Sequence, residues 1–330
     1  MPAMERRAWE RLGRRTSVVG LGTWQLGADW GEVSEGAAHA VLDASVEAGV
    51  TFFDTADVYG DGRSERLIGG YLRERPDAGV LVATKMGRRV EQLPEHYTLD
   101  NFRAWTDRSR SNLGVDRLDL VQLHCPPAAV IASDAVFDAL DTLVAEERVA
   151  GYGVSVETCD EALAAIARPG VASLQIILNP FRRKPLERVL PAAAEAGVAV
   201  IVRVPLASGL LSGRYTASTV FAENDHRTFN RSGEAFDQGE TFSGVDFATG
   251  VEAAAEFAGL LPDGVEPAAG ALRWAVQQPG VTTVIPGARS AEQAAANAAA
   301  AGLPPLDEPT LAAVRDVYDR RLRAQVHHRW

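Results

Sequence analysis

Cysteine is nearly absent: Cys125 and Cys159 are the only two in 330 residues. Two thiols cannot make a disulfide framework, and a reducing cytoplasm is the expected setting. There is no CxxC pair and no Cys/His cluster, so no metal site is expected. No apolar run approaches the roughly 20 residues that cross a bilayer, and no membrane partner is expected. The opening MPAMERRAWERLGRR is charged and lacks the apolar centre of a secretory signal. GRRTSVVG has a superficial likeness to a twin-arginine signal, but the run after it is short and is broken by Asp29 and Glu32. It reads as a hairpin instead. Positive charge is also in deficit, with 33 Lys+Arg against 44 Asp+Glu and a net charge of -11. That argues against nucleic acid or an anionic surface as the main partner. A phosphate-bearing ligand stays open, because a helix N-terminus and one or two arginines can hold a phosphate locally.

What the chain does have is alternation. Nearly continuous apolar runs stand at SVVGLG (17–22), VTFFD (50–54), VLVATK (80–85), LDLVQLH (118–124), VAGYGVS (149–155), SLQIIL (173–178), VAVIVRV (198–204) and VTTVI (281–285). Strands apolar on both faces are buried on both, as in a parallel sheet. Between them lie amphipathic or alanine-rich helical segments. Ser34 is placed to cap one of these, and TCDE (158–161) and SAEQ (290–293) fit the capping box. EAGVTFFD (47–54) and EAGVAVIV (195–202) use the same glycine-marked helix-to-strand joint.

Eight strands alternating with helices predict a closed (β/α)8 TIM barrel, one domain over residues 1–330. The other arrangement is an open doubly wound sheet, with GLGTWQLG (20–27) as its glycine loop. That loop has the wrong spacing and opens into no helix before Ser34. A barrel needs roughly 250 residues. The surplus falls in an N-terminal hairpin (about 5–16), a polar loop (about 205–250) and a C-terminal helical extension (about 303–330).

Barrel chemistry sits at the C-terminal ends of the strands. Asp54, Lys85 and His124 close three successive apolar runs, and Tyr59 lies just beyond the first of them. Each alone has an ordinary reading: a turn residue, a solvated strand end, a satisfied core histidine or a loop aromatic. Three ionisable groups ending three buried strands is a costly accident. A phenol titrates at about 10, and bringing it to about 7 takes roughly 4 kcal/mol of preference for the phenolate. An adjacent lysine ammonium can supply much of this, held charged by a carboxylate, while an imidazole orients a carbonyl oxygen.

These stretches, with SERLIGGYL, GYGVS, LQIILNPF, VPLASGLLSGRY and VIPGARSAEQAAAN, give a chain that resembles the aldo-keto reductases along almost its whole length. The resemblance implies reduction of an aldehyde or ketone by NADP(H), with Tyr59 as general acid/base, Lys85 and Asp54 tuning it, and His124 positioning the carbonyl. It also implies cofactor contacts at Gly22, Thr23, Trp24 and Asp54. Ser155 and Gln175 would hold the carboxamide. Arg203, Val204, Pro205, Leu206, Ser208, Gly209 and Arg214 would cover the pyrophosphate. Gly287, Arg289, Gln293 and Asn297 would hold the adenosine phosphate. Two positions depart from the family pattern: Val156 stands where many members have Asn, and Arg203 stands where many have an aromatic that stacks on the nicotinamide, so its charge is expected to tighten NADPH relative to NADP+. Gly287 lacks the lysine that some branches place there. A small carbonyl compound is the expected partner, in a pocket of Trp24, Met86, the loop from Pro126, parts of 205–250 and the tail. Arg88 and Arg89 offer charge for an anionic substrate or stand as solvated surface. An NADPH-binding sensor with slow turnover and a sugar reductase or dehydrogenase, nucleotide sugars included, remain as alternatives. A homo-oligomer also stays open.

Overall fold

The apolar runs become eight parallel strands in a computed structural model that describes residues 4–27, 33–237 and 239–330. A hairpin of β1 (Arg6–Trp9) and β2 (Arg14–Ser17) comes first. The barrel strands follow as β3 (Leu21–Gly22), β4 (Phe52–Asp54), β5 (Leu81–Met86), β6 (Leu120–His124), β7 (Tyr152–Ser155), β8 (Val171–Ile177), β9 (Ala199–Arg203) and β10 (Thr283–Val284). Each barrel strand pairs in parallel with the next. The sheet closes where Val19 and Gly22 bridge Val284 and Gly287, with the Gly20 amide donating to the Val284 carbonyl at 2.8 Å. The fold is therefore the expected (β/α)8 barrel.

Side-chain alternation sorts the strands into two cores. Phe52, Leu81, Ala83, Leu120, Ala199, Ile201 and Ile285 fill the barrel interior, whereas Phe53, Val82, Val121, Leu123, Val200 and Val202 face the helices. Trp9 of the hairpin joins the interior set, 5.2 Å from the Phe52 ring. The hairpin thus plugs the N-terminal end of the barrel.

The first expected strand, 17–22, is shorter than its apolar run. Ser17 belongs to the hairpin, where it pairs with Arg6, and only Leu21–Gly22 pair with β4. An apolar run marks burial, and the hairpin and the barrel both bury this one. The joints behave as read. Gly49 (φ 90) and Gly197 (φ 66) take left-handed conformations just after the helices Glu35–Glu47 and Pro185–Glu195. The Ser34 side chain accepts from the Ala37 amide, and the Thr158–Glu161 box is complete. The box at 290–293 is only half made. Ser290 accepts from the Gln293 amide, but the Gln293 carbonyl oxygen accepts from the Arg289 amide at 2.8 Å. The 205–250 loop ends at the helix Phe247–Gly259 and carries a short helix of its own, His226–Phe229. Asp29 and Glu32 lie outside the described residues. Among the described residues no helix is long and apolar enough to cross a membrane.

Candidate active site

The parity that sends Phe52 inward also sends Asp54 inward, and the same count along β5 and β6 carries Lys85, Gln122 and His124 to the interior. These side chains form a polar layer above the apolar plug. Ser155, Gln175 and Arg203 reach the same face of β7, β8 and β9, in register with their neighbours (His124 with Ser155, Ser155 with Gln175). Met86 has the opposite parity and is buried among the helix-facing residues, so it does not line the pocket as expected from sequence.

The Lys85 ammonium donates to Asp54 Oδ1 at 2.5 Å, to the Thr55 carbonyl at 2.9 Å and to the Tyr59 hydroxyl at 3.4 Å. Burial opposes the ammonium, but Asp54 and Tyr59 outweigh it and hold Lys85 above its ordinary value. For Tyr59 the balance differs from the sequence expectation of a phenol pulled toward about 7. Burial is the largest influence and keeps the phenol above 10, against the downward pull of Lys85. His124 meets the Tyr59 ring edge-on at 6.1 Å. Burial, and then the charges of Arg88, Lys85 and Arg203, hold its imidazole well below the ordinary range, so it is neutral at pH 7. Its Nδ1 is buried without a hydrogen-bond partner among the described residues.

Trp24 stacks on Tyr59 at 6.0 Å and continues into His226 and Phe236 of the long loop. The loop therefore roofs the polar layer. Beside it opens a cavity of about 770 Å³ lined by Arg88, Gln92, Glu157, Asp237 and Trp330, among others. Arg88 links the two, donating to the His124 carbonyl at 3.1 Å and to Glu157 at 3.2 Å. It is thus a structural pair member, not a solvated surface charge.

The residues matched to cofactor roles sit around this layer with commitments of their own. The Thr23 hydroxyl donates to the Asp54 carbonyl at 2.8 Å. Ser155 Oγ is 3.4 Å from Cys125 Sγ. Gln175 gives its amide to Asp54 Oδ2 at 2.7 Å. Arg203 pairs with Glu240 and lies 3.6 Å from Asp237, while it also donates to the Val156 carbonyl at 3.2 Å. Val204, Ala207, Ser208 and Gly209 all have left-handed φ (51, 48, 54 and 94), and the Ala207 and Gly209 amides close the turn on the Val204 and Leu206 carbonyls at 3.1 and 2.9 Å. Pro205 and Leu206 lie between them, but the Ser208 hydroxyl is committed to the Glu240 carbonyl, and Arg214 is exposed. Asn297 donates to the Gly287 carbonyl at 3.1 Å, and Arg289 and Gln293 flank the start of the helix Ala291–Ala299. Gly22 bridges Gly287. A Cβ at Gly287 would stand 2.3 Å from the Gln25 side-chain amide, so a lysine there would require Gln25 to move aside.

Sequence reasoning missed Gln122. Its amide donates to Asp54 Oδ2 at 3.2 Å, beside Gln175. The signal was available: a polar residue two positions before His124 in an apolar strand points the same way. Gln122→Leu would leave Asp54 Oδ2 with one donor. It is expected to cost roughly 1–3 kcal/mol, seen as a lower urea midpoint; an unchanged midpoint would show that Gln175 suffices. Asp237 and Glu240 also carried no signal, because only the folded loop brings them to Arg203.

A family model described as the aldo/keto reductase family matches residues 18–319. YqkF, an oxidoreductase of Bacillus subtilis, is 28% identical over 305 residues, covering 91% of this chain and 92% of the relative. The structure of a glycerol dehydrogenase from Gluconobacter oxydans superposes with a TM-score of 0.79 at 27% identity, covering 94% of this chain and 93% of that one. An aldo-keto reductase from Klebsiella pneumoniae, solved in complex with NADPH, gives a TM-score of 0.68 at 25% identity, with 96% of each chain covered.

Proposed function

Because the chain belongs to the aldo/keto reductase family, an oxidoreductase family, we propose that it reduces an aldehyde or ketone with NADPH, through Tyr59, Lys85, Asp54 and His124, as one barrel domain with hairpin, loop and tail as additions. The observation carrying this reading is the Lys85 ammonium held between Asp54 at 2.5 Å and the Tyr59 hydroxyl at 3.4 Å.

The residues present suit the dinucleotide. The tight turn at 204–209, left-handed at Val204 and again at Ala207, Ser208 and Gly209, suits close approach of a pyrophosphate, and the capped start of Ala291–Ala299 beside Arg289 suits a further phosphate. The NADPH-bound Klebsiella relative supports this choice of cofactor. When bound, the reduced nicotinamide supplies a hydride to the carbonyl carbon. Tyr59, kept neutral by burial, gives its hydroxyl proton to the carbonyl oxygen, and the Lys85 ammonium stabilises the phenolate that remains. Neutral His124 offers an N–H to the same oxygen and orients it. Trp24, Phe236 and the loop above them shield the layer from water.

A second reading, oxidation or reduction of polyhydroxylated substrates, is supported by the Gluconobacter relative's description as a glycerol dehydrogenase and by the mixed donors and acceptors of the cavity. Following NADPH consumption with aldehydes, ketones and sugars, and NADP+ reduction with polyols, separates the readings. No turnover with any of them, despite NADPH binding, would point to a sensor.

Arg203 gives a further expectation. Its cation is offset by Glu240 and Asp237, so Arg203→Tyr leaves two carboxylates at the nicotinamide end of the site. The substitution should shift the ratio of dissociation constants toward NADP+, whose ring is cationic, and away from NADPH. Fluorescence titration with both forms measures it, and an unchanged ratio would reject the assignment of Arg203 to the ring.

A further inference from the structure

The turn that carries Tyr59 is bound at both ends by the same two arginines. Arg89, from the loop after β5, and Arg108, from the helix Leu99–Leu113, approach the Asp57 carbonyl at 3.5 and 3.3 Å. Both also pair with the Asp61 carboxylate, Arg108 at 2.9 Å. Around the second of these anchor points Gly60, Asp61 and Gly62 run left-handed (φ 57, 49 and 84). The Asp57 amide is tied to the Lys85 carbonyl at 3.2 Å, so the turn and the catalytic lysine share a strand end.

The Asp57 side chain takes no part in this lattice. It is 1% exposed, and neither carboxyl oxygen has a hydrogen-bond partner among the described residues. The charged groups facing it are Glu65 from the helix Arg63–Glu74, Arg89 and Arg108. The Val58 amide of its own loop lies beside it without closing a bond of normal geometry. Glu65 is itself buried and occupied, accepting from Thr84 at 2.6 Å and Asn112 at 2.8 Å. A buried carboxyl with no donors, facing a second carboxylate, holds its proton.

We propose that Asp57, Arg89 and Arg108 form a charge-sensitive clamp on the Tyr59 turn, in which protonated Asp57 leaves both arginines on Asp61 and ionised Asp57 draws them inward and loosens the turn. Asp57 is a positioning residue here, acting through Tyr59, and its catalytic consequence rests on the role proposed above for that phenol. Burial, then Glu65, pushes the carboxyl up to about 7, against Arg89 and Arg108. His124 lies well below the neutral range and His226 falls to about 4, so neither histidine titrates in the same window.

The test is a pH profile of kcat and kcat/KM for wild type and Asp57→Asn. Wild type should lose about tenfold in kcat by pH 8 relative to pH 6, with the KM for NADPH little changed, and Asp57→Asn should be flat across that interval. Survival of the inflection in Asp57→Asn assigns it to another carboxyl, such as Glu157, and overturns the clamp. Stability gives a readout that needs no turnover. A carboxyl raised in the folded state contributes stability that is whole below about 4 and lost as pH rises through about 7. Asp57→Asn should therefore raise the unfolding temperature relative to wild type more at pH 8 than at pH 5, and an equal difference at both overturns the proposal. If that variant does not fold, Arg108→Gln removes one opposing cation and should move the wild-type inflection to higher pH; no movement overturns it. Wild type inactive toward every carbonyl would instead strike the reading of Tyr59, while the unfolding comparison still judges the state of Asp57.

Discussion

Tyr59→Phe is expected to lower kcat by roughly 10²–10⁴ while leaving the NADPH dissociation constant and the unfolding temperature near those of wild type. The range is what a positioned proton donor contributes. The substitution removes one hydroxyl, which accepts from the Lys85 ammonium at 3.4 Å, and keeps the ring that stacks on Trp24 at 6.0 Å and meets His124 edge-on. Lys85 keeps Asp54 and the Thr55 carbonyl, so no buried charge is stranded. Single-turnover kinetics with pre-bound NADPH locate the loss in the chemical step. A variant with wild-type turnover would end the assignment of Tyr59, and one that also lost NADPH binding would show that the ring rather than the hydroxyl had been disturbed.

Lys85→Met should fail in two ways. It removes the cation proposed to stabilise the phenolate, so kcat should fall by roughly 10² or more. It also strands Asp54, 2% exposed, with two amide donors and no counter-charge. Removing one partner of a buried pair costs about 3–5 kcal/mol, large against a total of about 5–15. The sign with pH follows from the direction of the Lys85 shift. A lysine raised in the folded state contributes fully below its unfolded value of about 10.4 and loses that contribution only in stronger alkali. The stability deficit of Lys85→Met should therefore be the same at pH 6 and pH 8 by urea unfolding. A deficit that vanished by pH 8 would mean the lysine is neutral in the folded protein.

The barrel was legible because its strands are buried on both faces and read as unbroken apolar runs. Their ends were less so: Ser17 and Leu21 lie in one run but serve two different sheets. Asp54, Lys85 and His124 stood out because ionisable groups are expensive at the ends of such strands, and the structure brings them to one layer with Tyr59. The direction of the Tyr59 shift was not legible, because it depends on how deeply the loop from 205 onward covers the ring. Nor was the pairing of Arg203 with Glu240, across 37 residues of irregular chain, since no periodicity encodes where such a segment folds back. Gln122 was legible by parity, two positions before His124 on an apolar strand, whereas its fellow glutamine Gln175 was named only through the family resemblance.

The hairpin stopper, with Trp9 seated against Phe52, seals the end of the packed barrel that lies away from the polar layer. Under the proposed reaction, dinucleotide and carbonyl compound must therefore approach from the same rim, and neither can leave through the floor.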